Sequence, residues 1–181
     1  AAPVALVAGM SRSSRNGIVV KTGSTIEKLA RAKSIAFDKT GTLTEGRLSV
    51  EKIKVVTAEV SPEELMIYAA SGEQDSSHIL ARSLVAYAKE NHLSLFPVTN
   101  LEEVTGQGIQ ASVNGKELRV GKAVFADAPV ELSNEQTAVY VSINNTYAGY
   151  ITFTDIVREE SAETITSLNR LGIEKTIMLT G

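Results

Sequence analysis

An Asn-Gly pair at positions 114 and 115 constrains the fold more than any other feature, because it separates two stretches of alternating apolar residues. The alternating residues are Ile109, Ala111 and Val113 before the pair, and Leu118 and Val120 after it. Such a pattern is typical of the two-residue turn of a β-hairpin. Pairing Val113 with Lys116 fixes the register and puts Gly108 opposite Gly121. The middle of the chain is therefore predicted to contain antiparallel sheet.

Helix and strand patterns alternate on both sides of this hairpin. Apolar periodicity and capping residues predict helices at 24–33, 61–72, 77–90 and 158–172, and strands at 35–37, 47–56, 147–153 and 176–179. Ser24 and Glu27 are expected to form a capping box on the first helix, and Ser61 and Glu64 on the second. A further hairpin is predicted around the Asn-Asn pair at 144 and 145.

The order of these elements predicts an α/β fold with an insert. Alternating helices and strands at both ends imply a parallel sheet, whereas the hairpins in the middle imply an antiparallel one. The simplest arrangement is one α/β domain interrupted by an α+β insert, in which helices flank the antiparallel sheet. The expected boundaries are 1–46 and 152–181 for the interrupted domain and 47–151 for the insert.

The composition narrows the classes of function. A net charge of −3 over 181 residues gives no electrostatic basis for binding nucleic acid or an anionic membrane. The chain has no cysteine, which excludes disulfides and thiolate metal sites within it. Its first ten residues are nearly all apolar, but they are about half as long as a membrane span. They are interpreted either as a core segment or as the end of a longer membrane helix.

The segment 36–46 places a lone carboxylate, Asp38, directly after a short apolar run. In an open α/β sheet, ligands bind beyond the carboxyl ends of the strands, which is where Asp38 is expected. Gly41 allows a tight turn that aims backbone N–H groups at a phosphoryl group, and Thr40 and Thr42 add hydroxyl groups. From these residues alone, two interpretations stay open: an ordinary polar turn, and a carboxylate nucleophile.

The string DKTGTLT at 38–44 resembles the phosphorylation signature of P-type ATPases, in which the aspartate accepts the γ-phosphoryl group of ATP. The segments TDIVR at 154–158 and MLTG at 178–181 are similar to further motifs of that family. The resemblance implies that Asp38 is the nucleophile and that Thr40 and Thr180 contact the phosphoryl group. It also implies that Asp38 and the Thr40 carbonyl bind Mg²⁺.

The same resemblance implies a fold and a division into domains. The phosphorylation domain of the family is haloacid-dehalogenase-like, a Rossmann-like α/β fold, and a nucleotide-binding domain interrupts it. Residues 1–46 would then be the end of a membrane helix and the first part of the phosphorylation domain. Residues 47–151 would be the nucleotide-binding domain, and 152–181 the second, truncated part of the phosphorylation domain.

The segment SGEQDSSHILARSL at 71–84 resembles the heavy-metal subgroup, in which Glu-x4-His precedes a Gly-x-Gly. The resemblance implies an adenine site: the carboxylate accepts a hydrogen bond from the exocyclic amine, the imidazole packs on the ring, and the glycines let the backbone approach. Ile79 stands where the family usually has Pro, and Lys122 where it often has Asn, so the effect of both on ATP binding stays open. The expected ATP-binding residues are Glu73, His78, Gly106, Gly108, Ile109 and Gly121.

The function implied is that of the cytoplasmic ATP-binding and phosphorylation region of a heavy-metal-transporting P-type ATPase of the cell membrane, with ATP and Mg²⁺ as cofactors. Its partners would be the actuator domain of the same protein and the transported cation, which a membrane domain would bind. The identity of that cation stays open. The alternatives are a soluble phosphatase of the haloacid-dehalogenase type and an ATP-binding module without turnover. Such phosphatases commonly carry a second Asp two residues after the nucleophile, where this chain has Thr40.

The family's magnesium-binding Gly-Asp-Gly-x-Asn-Asp segment does not occur in residues 1–181. Phosphoryl transfer depends mostly on positioning and on charge neutralisation by the metal ion. These 181 residues alone are therefore expected to bind ATP without turning it over.

Overall fold

The computed structural model describes residues 4–129, 131–133 and 136–179, which form two compact units. Unit 1 contains the described residues up to Leu43 and from Val157 onwards, and unit 2 is Thr44–Ile156. The sequence placed the insert at 47–151. The elements in chain order are α1 (Val4–Arg15), α2 (Gly23–Ala30), β1 (Ser34–Asp38), β2 (Thr44–Val55), α3 (Pro62–Gly72), α4 (Ile79–Glu90), β3 (Val98–Val104), β4 (Gly108–Val113), β5 (Lys116–Gly121), β6 (Thr137–Ile143), β7 (Thr146–Val157), α5 (Glu160–Arg170) and β8 (Lys175–Leu179).

Unit 1 contains a pair of parallel strands, as the sequence predicted. β1 pairs with β8 in a register that runs from Ser34 opposite Lys175 to Asp38 opposite Leu179. Because the strands are parallel, their carboxyl ends lie at the same edge. Asp38 is therefore the last residue of a strand whose neighbour also ends there.

One expectation for unit 1, and one of the two interpretations of its apolar start, are wrong. The capping box of Ser24 and Glu27 does not form, because α2 begins one residue earlier and Thr22 is its N-cap. The Ser24 hydroxyl instead lies 2.9 Å from the hydroxyl oxygen of Thr22. α1 contains no buried residue, so its apolar residues are not a core segment. Among the helices that the structure describes, none is long and apolar enough to cross a membrane.

Unit 2 is a six-stranded sheet with two helices packed on it. The strand order is β2-β7-β6-β5-β4-β3, and the pairs from β3 to β7 are antiparallel. The alternating apolar residues of these strands and the inward faces of α3 and α4 form the main core. The largest side chains that this core buries completely are Leu65, Met66, Leu84, Leu118 and Ile151.

The register predicted for the hairpin of β4 and β5 is confirmed. Val113 pairs with Lys116, and Gly108 pairs with Gly121. The capping box of Ser61 and Glu64 on α3 is also confirmed, since each side chain accepts a hydrogen bond from the other residue's backbone N–H. The second hairpin turns at the predicted Asn-Asn pair, whose φ angles of +50° and +58° are those of a type I′ turn.

Element ends differ from the predicted ones where side chains or distant carbonyls bind the backbone. α4 begins at Ile79, not at 77, because His78 is its N-cap. α5 begins at Glu160, not at 158, because β7 continues to Val157 and Glu159 is the N-cap of the helix. β7 continues to Val157, four residues beyond the predicted strand end at 153.

Candidate active site

A cleft of about 330 Å³ opens on unit 2 between the end of α3, the start of α4 and the open end of the β4–β5 hairpin. This volume lies within the range of small-molecule sites. All six residues that the sequence predicted for ATP binding line this cleft, together with further residues that it did not predict. The predicted six are Glu73, His78, Gly106, Gly108, Ile109 and Gly121.

Glu73 enters the cleft as the residue that ends α3. It is the C-cap of the helix, and its backbone N–H bonds to carbonyls of the last turn. Burial raises the pKa of the Glu73 carboxyl above its usual value, and the nearby charge of Glu103 raises it further. A hydrogen bond with Ser76 and the charge of His78 act in the opposite direction, and burial has the larger effect. A half-buried carboxylate of this kind is a strong hydrogen-bond acceptor.

His78 is held at the cleft by its position as the N-cap of α4. Its backbone is extended, and its Nδ1 accepts a hydrogen bond from the backbone N–H of Leu80 at 3.3 Å. Its own backbone N–H donates to the Ser76 hydroxyl oxygen at 3.3 Å. The helix start thus fixes an exposed imidazole beside the cleft.

Gly108 and Gly121 are required by the hairpin itself. A Cβ on Gly108 would lie 2.1 Å from the carbonyl oxygen of Val120, and a Cβ on Gly121 would lie 2.2 Å from that of Gln107. No side chain fits at these distances. The sequence assigned both glycines to the approach of a nucleotide, and the structure gives a further reason for them, the close approach of two strands.

Gly106 differs from the other two glycines because it has free space around it. It lies in the three-residue connection between β3 and β4, with φ +70°, and a Cβ there would meet nothing within 4 Å. The turn closes with a hydrogen bond of 2.9 Å from the N–H of Gln107 to the carbonyl of Val104. The backbone at Gly106 is therefore open to a ligand. Ile109, which is buried, adds an apolar wall to the cleft.

The sequence missed part of the cleft. Glu103 lines it from β3, an edge strand that no periodicity predicted, and Ser76 and Gln107 line it from loops. Lys122 was noted only as a departure from the family pattern, and it also lines the cleft. The spacing of polar residues within loops does not predict which of them will line a cleft. Glu103 could have been found only by predicting β3 and its register.

Asp38 lies in unit 1 as the exposed last residue of β1, and a tight turn follows it. Thr40 (φ −79°, ψ 121°) and Gly41 (φ 78°, ψ −8°) have the dihedral angles of a type II turn, which needs a positive φ at its third residue. A Cβ on Gly41 would meet nothing within 4 Å. The backbone conformation, and not crowding, therefore selects glycine here. Thr180, the third predicted catalytic residue, lies outside the described residues.

Arg158 and Ser161 bind the loop that follows Asp38. The Arg158 guanidinium donates to the carbonyls of Thr42 (3.1 Å) and Gly41 (3.3 Å). The Leu43 carbonyl accepts from the Arg158 backbone N–H (3.0 Å) and from the buried Ser161 hydroxyl (2.9 Å). Three successive carbonyls are thereby fixed to a segment more than 100 residues later in the chain. Ser161 carried no signal in the sequence.

The residues around Asp38 are compatible with a magnesium ion shared with a phosphate ligand. Among the residues that the structure describes, no group of three or more His, Asp or Glu side chains could hold a metal ion alone. Mg²⁺, however, is commonly bound by one or two carboxylates together with substrate phosphates. The exposed carboxylate of Asp38 and the carbonyl of Thr40 are oxygen ligands of the kind it prefers.

Comparisons with known proteins identify the family. Residues 32–181 match the family model of haloacid dehalogenase-like hydrolases. The manganese-exporting P-type ATPase of Mycobacterium leprae is 34% identical over 194 residues, which cover 100% of this chain and 27% of that protein. The zinc/cadmium/lead-transporting P-type ATPase of Escherichia coli is 37% identical over 186 residues, which cover 99% of this chain and 25% of that protein. The chain thus spans about a quarter of the length of these relatives.

The solved structures that resemble this chain also come from ATPases. A zinc-transporting PIB-type ATPase in the E2.Pi state matches with a TM-score of 0.82 and 36% identity, over 97% of this chain and 30% of that one. The catalytic domain of the CPx-ATPase CopB-B matches with a TM-score of 0.71 and 28% identity, over 94% of this chain and 62% of that one. The chain therefore belongs to the haloacid dehalogenase-like hydrolases, and almost its whole length is similar to part of several metal-transporting P-type ATPases and to the catalytic domain of a CPx-ATPase.

Proposed function

We propose that unit 2 is the nucleotide-binding domain, and unit 1 part of the phosphorylation domain, of a P-type ATPase that transports a heavy-metal cation. The observation that carries the proposal is that six residues from four separate segments line one cleft of unit 2. The cleft combines an acceptor carboxylate, an imidazole and three backbone positions without side chains. This set matches the chemistry of an adenine ring and its sugar.

In this proposal each residue of the cleft has a separate role in nucleotide binding. The Glu73 carboxylate accepts a hydrogen bond from the exocyclic amine of adenine, and the His78 ring stacks on the base. The backbone at Gly106 and Gly108 lies close to the nucleotide because no side chain keeps it away. Ile109 provides apolar contact to the base.

Asp38 is proposed to be the nucleophile that attacks the γ-phosphorus of ATP. A bond forms between a carboxylate oxygen of Asp38 and phosphorus, while the bond from phosphorus to the bridging oxygen of ADP breaks. Asp38 and the Thr40 carbonyl would hold Mg²⁺, which would supply positive charge to neutralise the phosphoryl group. Arg158 and Ser161 hold the carbonyls of the following loop and so keep the turn at Thr40 in one conformation.

Thr40 also favours transport over simple hydrolysis. A carboxylic acid at this position would protonate the leaving group and later activate water, and threonine can do neither at neutral pH. An aspartyl phosphate at Asp38 would therefore persist until another part of the protein delivers water. We propose that the actuator domain of the same protein does this, that the region is cytoplasmic and that the parent protein lies in the cell membrane.

The transported ion is proposed only as a heavy-metal cation. The relatives are described as exporting manganese or zinc, or as transporting zinc, cadmium and lead. The side chains that would select the ion belong to a membrane domain. In this proposal the cleft and the Asp38 loop use ATP to drive transport, and they do not select the transported ion.

The test of nucleotide binding is an NMR titration of the 181-residue chain with a non-hydrolysable ATP analogue. The amide signals of Glu73, His78, Gly106 and Gly121 should shift first and saturate together. The signals of residues around the Asn144 turn, which do not line the cleft, serve as the internal control. Saturable shifts elsewhere, with the cleft residues unchanged, would disprove this binding site.

The test of the nucleophile is labelling with radioactive γ-phosphate in the longer parent protein and in the 181-residue chain. The parent should form an acid-stable, hydroxylamine-sensitive phosphoenzyme that Asp38→Asn abolishes. The 181-residue chain should bind ATP but form no such label, because Asp38 and the Thr40 carbonyl leave the phosphoryl charge incompletely neutralised. Unchanged labelling of the Asp38→Asn parent would disprove the role of Asp38.

A further inference from the structure

Two charged residues of the cleft have no role in the adenine recognition proposed above. Glu103 lies near the end of β3, and Lys122 directly follows β5; both line the cleft. β4 lies between these strands, so the two residues approach from opposite sides of it. Glu103 pairs with Ile109, and Gly121 pairs with Gly108, which is adjacent to Ile109. The two charges therefore flank the same end of the β4 strand.

The backbone holds both residues in place. Glu103 is part of a regular ladder, and its neighbour Glu102 pairs with Gln110. The backbone N–H of Lys122 donates to the Gln107 carbonyl at 2.9 Å, which ties Lys122 to the turn that contains Gly106. Within the part of the chain that the structure describes, the Lys122 ammonium forms no ion pair, so it is available to a ligand.

The charges that line the cleft are unequal in number. Two carboxylates, those of Glu73 and Glu103, line the cleft together with one ammonium, that of Lys122, which is the only Lys or Arg among the described lining residues. An anionic ligand in such a cleft is attracted by one group and repelled by the others. The attraction and the repulsion both grow with the negative charge of the ligand. Stacking on the base and the hydrogen bond to the adenine amine do not depend on that charge.

We propose that Lys122 and Glu103 set how strongly the cleft discriminates between nucleotides by the charge of their phosphate chain. Lys122 favours ligands with more phosphates, and Glu103 opposes them. The inference rests on the proposed function, because it takes adenine nucleotides as the ligands of the cleft. It adds a specificity determinant that is separate from the recognition of the base.

The experiment is isothermal titration calorimetry of the 181-residue chain with adenosine, AMP and ATP, at low salt and without divalent cations. Lys122→Gln should weaken ATP binding about fivefold, AMP binding less, and adenosine binding not at all. Glu103→Gln should have the opposite effect and tighten ATP binding about threefold, again without a change for adenosine. Both effects should shrink when the salt concentration is raised, since exposed charges are screened.

Two matched variants control for the loss of a charge as such. Lys52→Gln removes an exposed lysine from β2, at the far edge of the same sheet. Glu102→Gln removes the carboxylate next to Glu103. The side chain of Glu102 points to the opposite face of the strand from that of Glu103, because adjacent residues alternate. Neither residue lines the cleft, and neither variant should change the ratio of ATP to adenosine affinity.

The outcomes separate this inference from the proposed function. If the wild-type chain binds adenosine and ATP but Lys122→Gln changes both by the same factor, or neither, the inference is wrong and the adenine site stands. If Glu103→Gln weakens ATP binding, the inference is also wrong. If the wild-type chain binds no adenine ligand at all, the proposed function fails and the inference fails with it. Lys122→Arg, which keeps the charge, should retain the wild-type ratio.

Discussion

His78 takes part in two separate contacts, one with the helix that it begins and one with the cleft that it lines. The ring is expected to stack on adenine, so His78→Ala should weaken ATP binding by about 1–3 kcal/mol. The same change removes the acceptor for the Leu80 N–H. Loss of an N-cap lowers the free energy of unfolding by about 1 kcal/mol. Calorimetry and urea unfolding measure the two losses separately.

His78→Asn is the control that separates these contacts. Asparagine is a good N-cap residue, so the variant should recover the stability lost in the alanine variant. It has no aromatic ring and should bind ATP as weakly as the alanine variant does. Wild-type affinity in His78→Asn would show that the cap, and not stacking, is the contribution of this residue.

Glu73 should make the stability of the chain depend on pH. Burial raises the pKa of its carboxyl in the folded protein, so protonation favours folding. Its contribution to stability is fully present below the pKa of an unfolded Glu and is lost as the pH rises through the raised folded value. Glu73→Gln cannot ionise, so its free energy of unfolding should exceed that of the wild type more at pH 7 than at pH 4, as measured by urea unfolding.

The same substitution should have the opposite effect on binding. A neutral amide oxygen is a weaker acceptor than a carboxylate, so Glu73→Gln should weaken ATP binding about fivefold at pH 7. If Glu73→Gln raises the free energy of unfolding and weakens ATP binding, the Glu73 carboxylate serves binding and destabilises the fold. Equal stability differences at both pH values would contradict the effect of burial.

At the scale of elements, the glycines of the β3–β4–β5 region should tolerate substitution very differently. Gly106→Ala places its Cβ in open space and carries only the strain of a positive φ, about 1 kcal/mol. Gly108→Ala places a Cβ 2.1 Å from the Val120 carbonyl oxygen, so the hairpin must separate. Thermal unfolding should show a much larger loss for Gly108→Ala. Similar losses for both variants would contradict the close approach of these strands.

The elements that could be predicted are those specified by neighbouring residues. The β4–β5 register follows from the Asn-Gly turn and the alternation around it, and the α3 cap from Ser61 and Glu64. β3 could not be predicted, because it is an edge strand whose residues are mostly exposed. It is also interrupted by a bulge at Asn100, where φ is +52°. An exposed, irregular strand shows no period of two.

The cleft could be predicted only where its residues belong to a contiguous pattern. Glu73 and His78 lie five residues apart, and Gly106 and Gly108 two apart, so a short sequence motif contains both members of each pair. Glu103 depends on an unpredicted strand. The bonds from Arg158 and Ser161 to the loop after Asp38 join residues more than 100 positions apart. No local periodicity specifies contacts at such separations.

At the scale of the whole molecule, the two units differ sharply in how much they bury. Every buried apolar side chain among the described residues lies in unit 2. Among the described residues of unit 1, only Ser161 is buried, and the side chains of Ile177, Met178 and Leu179 on β8 are exposed. Burial of apolar surface is the main favourable term in folding. Unit 2 should therefore supply nearly all of the stability of the 181-residue chain.

This difference predicts two levels of amide hydrogen exchange in the intact 181-residue chain. Peptides from β4 and β5 should exchange only through the global unfolding of unit 2, because their hydrogen bonds lie over a closed core. Peptides from β1 and β8 should exchange orders of magnitude faster, through local opening that exposes little new apolar surface. Mass spectrometry of the exchanged chain measures both in one experiment. Addition of urea below the midpoint of unit 2 should accelerate exchange in β4 and β5 and have little further effect on β1. Equal protection of the two sets of strands would mean that unit 1 has a source of stability other than buried side chains.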